Sequence, residues 1–182
     1  MKEVVLSKPF SSEEEYFAFE EKSELKHEYI NSTLFEMSDA SKYHNKTKRK
    51  IANLLEGSLA PNAFEVFDEG FKVRTPLGNF YYPDVIACEP VPEKYYSSKP
   101  VLLVEILSDS TRTFDLIDKF IAYRKFASLE YYLCIEPEQK RVHFYYKAEE
   151  NEWIVDIFSN NNDIINLPKL GISLQLKDIY QS

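Results

Sequence analysis

Glycine is scarce in this chain, four in 182 residues, and cysteine is scarcer still, with two. No stretch rich in serine, glycine and proline interrupts the sequence, so a flexible linker is not expected and residues 1–182 read as one domain. Cys88 and Cys134 belong to no Cys-x-x-Cys pair and to no Cys/His cluster with zinc-ligand spacing, which argues against a structural zinc. Each falls in a strand-like run, where a reduced core thiol is the natural reading. Apolar runs stay far short of the roughly 20 residues that cross a bilayer, so no membrane span is expected. Met1 to Leu6 carries acid early and lacks an apolar core followed by small residues; a secretory signal is not expected, and a cytoplasmic location is. Repeats and low-complexity tracts are absent as well. Cations are outnumbered, 22 Lys and Arg against 30 Asp and Glu, and the net charge of -8 excludes a protein that coats nucleic acid generally. Any contact with DNA must come from a local patch.

What is present is the material of a globular core: 44% hydrophobic residues, of which aromatics are a large part. Ser11 or Ser12 ahead of Glu13, Glu14 and Glu15 reads as the cap of a helix ending near Ser23, with its acids at the positive end of the dipole. Glu28 to Ile30 and Leu34 to Met37 flank the turn-like Asn31-Ser32-Thr33 and predict a hairpin. A basic helix follows, with Ile51, Leu54, Leu55 and Leu59 as its apolar positions. Phe64 to Arg74 and Tyr81 to Cys88 read as strands around the turn chemistry of Thr75 to Asn79, and Val101 to Leu107 as a strand covered on both faces. From Asp115 the positions Leu116, Phe120, Tyr123 and Ala127 recur at helical spacing, giving a helix to about Phe126. Glu130 to Glu136, Arg141 to Lys147 and Trp153 to Phe158 predict a meander, and Ile172 to Leu176 an edge strand or docked segment. Of the doubled tyrosines at 81/82, 95/96, 131/132 and 145/146, alternation should send one ring inward and one outward. Helices interspersed with strands imply a mixed sheet with helices packed on it.

Glu105 interrupts the otherwise apolar run Val101 to Leu107. An ionised carboxylate in such a strand is costly to desolvate, and buried charges persist when paired or bound to metal. Asp84 follows Pro83 at the head of a short apolar strand, a place where proline is tolerated because a ladder begins there. Lys119 lies on the helix after Glu105. Two acids on neighbouring strands and one cation on the next helix suit phosphodiester hydrolysis: the carboxylates hold a hard divalent cation, and the lysine orients water or offsets charge on the phosphate. Mg²⁺ fits two carboxylates and several waters, and Mn²⁺ is expected to substitute. Asp115, four residues before Lys119, is equally well placed for a helix ion pair. Lys42, Lys46, Lys48, Arg49 and Lys50, with His44 nearby, form the one basic patch, either a solvated helix face or a contact to phosphates.

Taken in order, Glu28-Tyr29-Ile30, His44, Pro83-Asp84, Val104-Glu105-Ile106-Leu107-Ser108, Asp115 with Lys119, and Glu130-Tyr131-Tyr132-Leu133 resemble the Uma-type putative restriction endonuclease family. That family is a branch of the PD-(D/E)XK nuclease superfamily. The resemblance implies an α/β (α+β) fold, a restriction-endonuclease-like mixed central sheet flanked by helices with a C-terminal antiparallel meander. It implies metal binding by Asp84 and Glu105, catalysis by Lys119, and Glu28 as an early acid that completes the site or positions water. The superfamily's usual lysine lies two residues after the second acid, where this chain has Leu107; this branch carries it on the following helix. Asn31-Ser32 stands where an Asp-Gly turn is usual in the family.

The expectation is a Mg²⁺-dependent endonuclease acting on DNA, and a homodimer, because one site cuts one strand. The alternative is a catalytically inactive nuclease-fold module that binds nucleic acid or a protein partner, consistent with Leu107 and the acidic charge. A glycosidase with paired carboxylates is a third reading, with no sugar-binding surface to favour it.

Overall fold

In the computed structural model, residues 4–7, 10–37, 40–60, 63–68, 70–149 and 152–180 are described. The chain begins β1 (Val4–Ser7), α1 (Glu13–Glu20), β2 (His27–Ile30), β3 (Thr33–Glu36) and α2 (Lys42–Ser58). It continues β4 (Glu65–Phe67), β5 (Lys72–Arg74), β6 (Phe80–Tyr81), β7 (Val85–Cys88), β8 (Tyr96–Ser97) and β9 (Pro100–Ile106). A π-wound segment, Phe114–Lys119, leads into α3 (Phe120–Tyr123). Then come β10 (Tyr131–Glu136), β11 (Arg141–Lys147), β12 (Trp153–Phe158), β13 (Ile164–Leu167), β14 (Ile172–Gln175) and α4 (Leu176–Tyr180).

The central sheet has the order β12-β11-β10-β9-β7-β4 and is antiparallel except between β9 and β10. Parallel neighbours need a crossover, and the helical stretch between them supplies it. Every residue of β9 is buried, because both faces of the sheet are covered. On one face Ile51, Leu55 and Leu176 from α2 and α4 pack on Ala87, Leu102 and Val104. On the other, Tyr123, Phe126 and Leu129 pack on Ile86, Leu103 and Tyr132. A second six-stranded sheet, β1-β3-β2-β6-β5-β8, carries α1 through Tyr16, Leu34 and Phe80. The mixed sheet with flanking helices and terminal meander is the architecture that the sequence predicts. Among the described residues no helix is long and apolar enough to cross a membrane.

Four details differ from expectation, each for a local reason. The predicted strand from Phe64 to Arg74 is cut into β4 and β5, which belong to different sheets, and Gly70 between them has φ +75, a turn conformation. Tyr81 to Cys88 is likewise split, because Pro83 has no N–H for a ladder. The terminal segment is not a lone edge strand: β14 pairs with β13 as a hairpin. The tyrosine rule fails at Tyr81/Tyr82 and Tyr131/Tyr132, all buried, since alternation separates inside from outside only when one face meets water.

Candidate active site

Strand β9 alternates its side chains between the two covered faces, and Glu105 shares the face of Leu103 and Leu107, against α3. Strand β7 runs antiparallel beside it, with Val85 opposite Val104. One further step along that register brings Asp84 level with Glu105, and residues opposite each other project to the same face. The Asp84 carboxylate is anchored through Oδ2, which accepts from the Ile106 backbone N–H at 2.7 Å and lies 3.1 Å from His44 Nε2.

Helix α2 brings in His44. Ser41 caps the helix by accepting from the His44 N–H, and His44 precedes Thr47, Ile51 and Leu55 on the buried stripe, so its ring turns toward the sheet. With Nε2 directed at Asp84, Nδ1 is left buried with no hydrogen-bond partner among the described residues. Lys48, one turn on, lines the same cleft as His44. Lys46 and Arg49 are exposed and Lys50 is half-buried, and none of these three lines that cleft. The helix period spreads the basic run around the axis, so only part of it faces the acids.

Lys119 closes the site from the crossover helix. Its Nζ lies 2.8 Å from Glu105 Oε1, 3.1 Å from Asp115 Oδ1 and 3.5 Å from Glu28 Oε1. Tyr123, one turn beyond Lys119, donates to the same Glu105 oxygen at 3.0 Å. Glu28, from the hairpin strand β2, accepts the Tyr82 N–H at 3.2 Å. That hairpin turns through Asn31 (φ 49) and Ser32 (φ 62), both left-handed, the geometry of a two-residue hairpin turn, so Glu28 is delivered without an Asp-Gly pair. Tyr132 fixes the helix by donating to the Asp115 carbonyl at 2.8 Å. The segment holding Asp115 and Lys119 is π-wound, a local departure that recurs at functional sites.

Burial raises the Glu105 carboxyl well above the ordinary range; Lys119 opposes that rise, and the charges of Asp115 and Asp84 add to it. For Lys119 burial acts downward, yet Asp115, Glu105 and Glu28 outweigh it and hold the ammonium well above the usual lysine value. Asp84, Glu105, Asp115 and Lys119 open on a cleft of about 800 Å³, whose rim includes Ser108, Ser110 and Thr111. Among the described residues, no group of three or more His, Cys, Asp and Glu side chains forms a cage for a metal. The donor set nevertheless suits a hard divalent cation. Among the described residues, protein contacts fall on Oδ2 of Asp84 and Oε1 of Glu105, leaving one oxygen of each acid, and Mg²⁺ uses one or two carboxylates with waters completing its shell.

Asp84, Glu105, Lys119, Glu28, Asp115 and His44 thus converge, whereas Lys46, Arg49 and Lys50 stand apart. Tyr123, which reads from the sequence as a core position, is the contact that was missed. Its signal was its place four residues after Lys119 on the same helix face.

Comparison with known proteins bears on the fold and the family. Two proteins of Synechocystis sp., both described as uncharacterized, are similar to the chain. One is 29% identical over 177 residues, covering 95% of this chain and 93% of its own length. The other is 28% identical over 157 residues, covering 82% and 89%. A crystal structure of a putative nuclease of the DUF820 family from Anabaena variabilis has the same fold. Its TM-score is 0.75 at 15% identity, over 90% of this chain and 94% of that one. The family model described as putative restriction endonuclease matches residues 13–177, and the chain belongs to that family, Uma2.

Proposed function

We propose that this nuclease-family protein is a metal-dependent endonuclease that hydrolyses phosphodiester bonds in DNA. The observation that carries the reading is the meeting of Lys119 with Glu105 and Asp115, beside Asp84, in one cleft, with Glu28 reaching the same ammonium from behind. Asp84 and Glu105 would hold Mg²⁺, with Mn²⁺ able to replace it. When bound, such an ion polarises the phosphate and makes water more acidic.

The chain's own groups then have separable tasks. The Ile106 N–H and His44 orient Asp84, and Tyr123 orients Glu105. Three carboxylates keep Lys119 cationic, so that it can donate to a phosphate oxygen or to the attacking water as charge develops. Glu28 sets the position of that ammonium. Lys48 and the hydroxyls of Ser108, Ser110 and Thr111 are the groups on the cleft rim that suit the substrate backbone. The protein is proposed to act as a homodimer, which supplies one site for each strand of a duplex.

Nicking of supercoiled plasmid with Mg²⁺ or Mn²⁺ tests this. The wild type is expected to cleave, and Asp84→Asn, Glu105→Gln and Lys119→Ala to lose about 100-fold or more. Equal cleavage by all four proteins removes the assignment. Calorimetry with Mn²⁺ gives a readout independent of turnover: the wild type should show binding heat, and Asp84→Asn should abolish it. Absence of any binding heat favours the inactive nucleic-acid- or protein-binding module instead.

A further inference from the structure

Beside the cleft lies a second cavity of about 550 Å³, and the two share Glu24, Leu25, Lys26 and Tyr82. Lys72 of β5 lines it and is only 4% exposed. Among the described residues its amine has neither a carboxylate within ion-pair distance nor a hydrogen-bond acceptor. Four aromatic rings surround Nζ instead, with centroids at 4.7 Å (Tyr82), 5.2 Å (Phe17), 5.8 Å (Tyr16) and 5.9 Å (Tyr95). Arg74, two residues along the strand, is paired with Glu13, so this surface has acids that Lys72 does not reach.

A buried lysine without a partner is uncommon, because ring faces return only about 0.5–2 kcal/mol of the hydration that an ammonium loses. Burial pushes the Lys72 amine down to about 8; Glu20 draws it back upward, and Lys26 pushes it further down. Near neutral pH such a group carries on the order of a hundredfold more free amine than a surface lysine. Packing alone would be served by methionine or leucine, which carry no desolvation cost. A cavity-lining lysine with no acid partner and an enlarged share of free amine is instead the arrangement of a covalent nucleophile.

We propose that Lys72 forms an imine with an uncharged aldehyde whose planar, apolar body seats against Phe17, Tyr82 and Tyr95. The Nζ lone pair adds to the carbonyl carbon as the carbonyl π pair moves to oxygen. A proton passes from nitrogen to that oxygen; a second proton, from solvent, lets the hydroxyl depart as water while the nitrogen lone pair closes the C=N bond, leaving the protonated imine. Hydrolysis reverses each step, and no oxidant or reductant is consumed. Glu14, Glu20, Glu21 and Glu24 around the same cavity select against an anionic aldehyde. The inference stands apart from the nuclease reading, since Lys72 does not line the cleft that holds Asp84 and Glu105.

The test is reductive trapping of the full chain with benzaldehyde or 4-carboxybenzaldehyde and cyanoborohydride at pH 7.5, followed by peptide mass mapping. Lys72 should be benzylated at least tenfold faster than any surface lysine. The carboxylated probe should label it several-fold more slowly, and Glu105→Gln should label as the wild type does. Lys72→Met should lose that adduct while surface adducts persist. Labelling of Lys72 no faster than surface lysines overturns the proposal on the wild type alone, whatever the variants do, and equal labelling by both probes overturns the selection for an uncharged ligand.

Discussion

Lys119 and Lys72 are both nearly inaccessible to water, yet they meet burial in opposite ways. Lys119 gathers acids and is held well above the usual lysine value; Lys72 gathers aromatic rings and is pushed down to about 8. Removing Lys119 leaves buried acids without a counter-ion. Lys119→Met is therefore expected to cost about 3–5 kcal/mol at pH 7 in urea denaturation. Without Lys119 nothing opposes the rise that burial imposes on Glu105, so the penalty is absent below its unfolded value and grows as pH rises. The gap to the wild type should shrink as pH is lowered toward 5. Lys72 gives the reverse pattern. Its folded value of about 8 lies below the unfolded 10.5, so its burden is full below pH 8 and is relieved as pH rises. Wild-type stability should climb between pH 8 and roughly 9.5, before unfolded-state tyrosines titrate. Lys72→Met should flatten that climb and be more stable at pH 7, by about 2 kcal/mol after discounting for solvent reaching the cavity. A flat wild-type profile over that window would show that Lys72 is not depressed.

At the level of elements, the site depends on how each strand and helix ends. β7 begins after Pro83, β9 ends just beyond Glu105, and the crossover helix is π-wound where it presents Asp115 and Lys119. The acids were legible from sequence because a charge in an apolar run and a proline before an acid are local signals. The crossover helix was legible from its spacing. Its π winding, Tyr123 as a partner of Glu105, and the isolation of Lys72 were not, since each is set by groups distant along the chain. The scatter of Lys46, Arg49 and Lys50 away from the cleft could have been read from the helix period once His44 was taken as the inward position. The β2–β3 turn gives a direct test. Ser32 adopts φ 62, a conformation that costs a side-chain-bearing residue about 1 kcal/mol and glycine little. Asn31 is held there by Asn79, whose side chain accepts from the Asn31 N–H at 3.0 Å. Ser32→Gly should raise stability by about 1 kcal/mol in thermal or urea unfolding, with metal-dependent nicking unchanged because Glu28 keeps its place. A loss of stability would mean that the turn is not left-handed at both positions.

For the whole molecule, the central sheet stops at β12, which pairs with β11 alone among the described strands. Its outward residues are apolar: Ile154 is 39%, Val155 48% and Ile157 61% exposed. An open edge of that kind is a template for another strand, and native proteins usually blunt it with charge, proline or a bulge. Here Asp156 is the lone charge. If two copies pair antiparallel about a twofold between Val155 and Asp156, Ile154 meets Ile157 of the second copy and Asp156 meets Val155, so like charges are kept apart. This is the edge through which the proposed homodimer is expected to form. Sedimentation at micromolar concentration should give twice the chain mass for the wild type and a single-chain mass for Ile157→Lys, whose charge would be desolvated in the paired strand. The plasmid assay then separates assembly from chemistry, because the intact dimer should convert supercoiled DNA to linear while Ile157→Lys, with its cleft untouched, should stop largely at the nicked circle. A wild type that sediments as a single chain with and without DNA, yet still linearises plasmid, would place the second cut in an independent encounter rather than in a paired molecule.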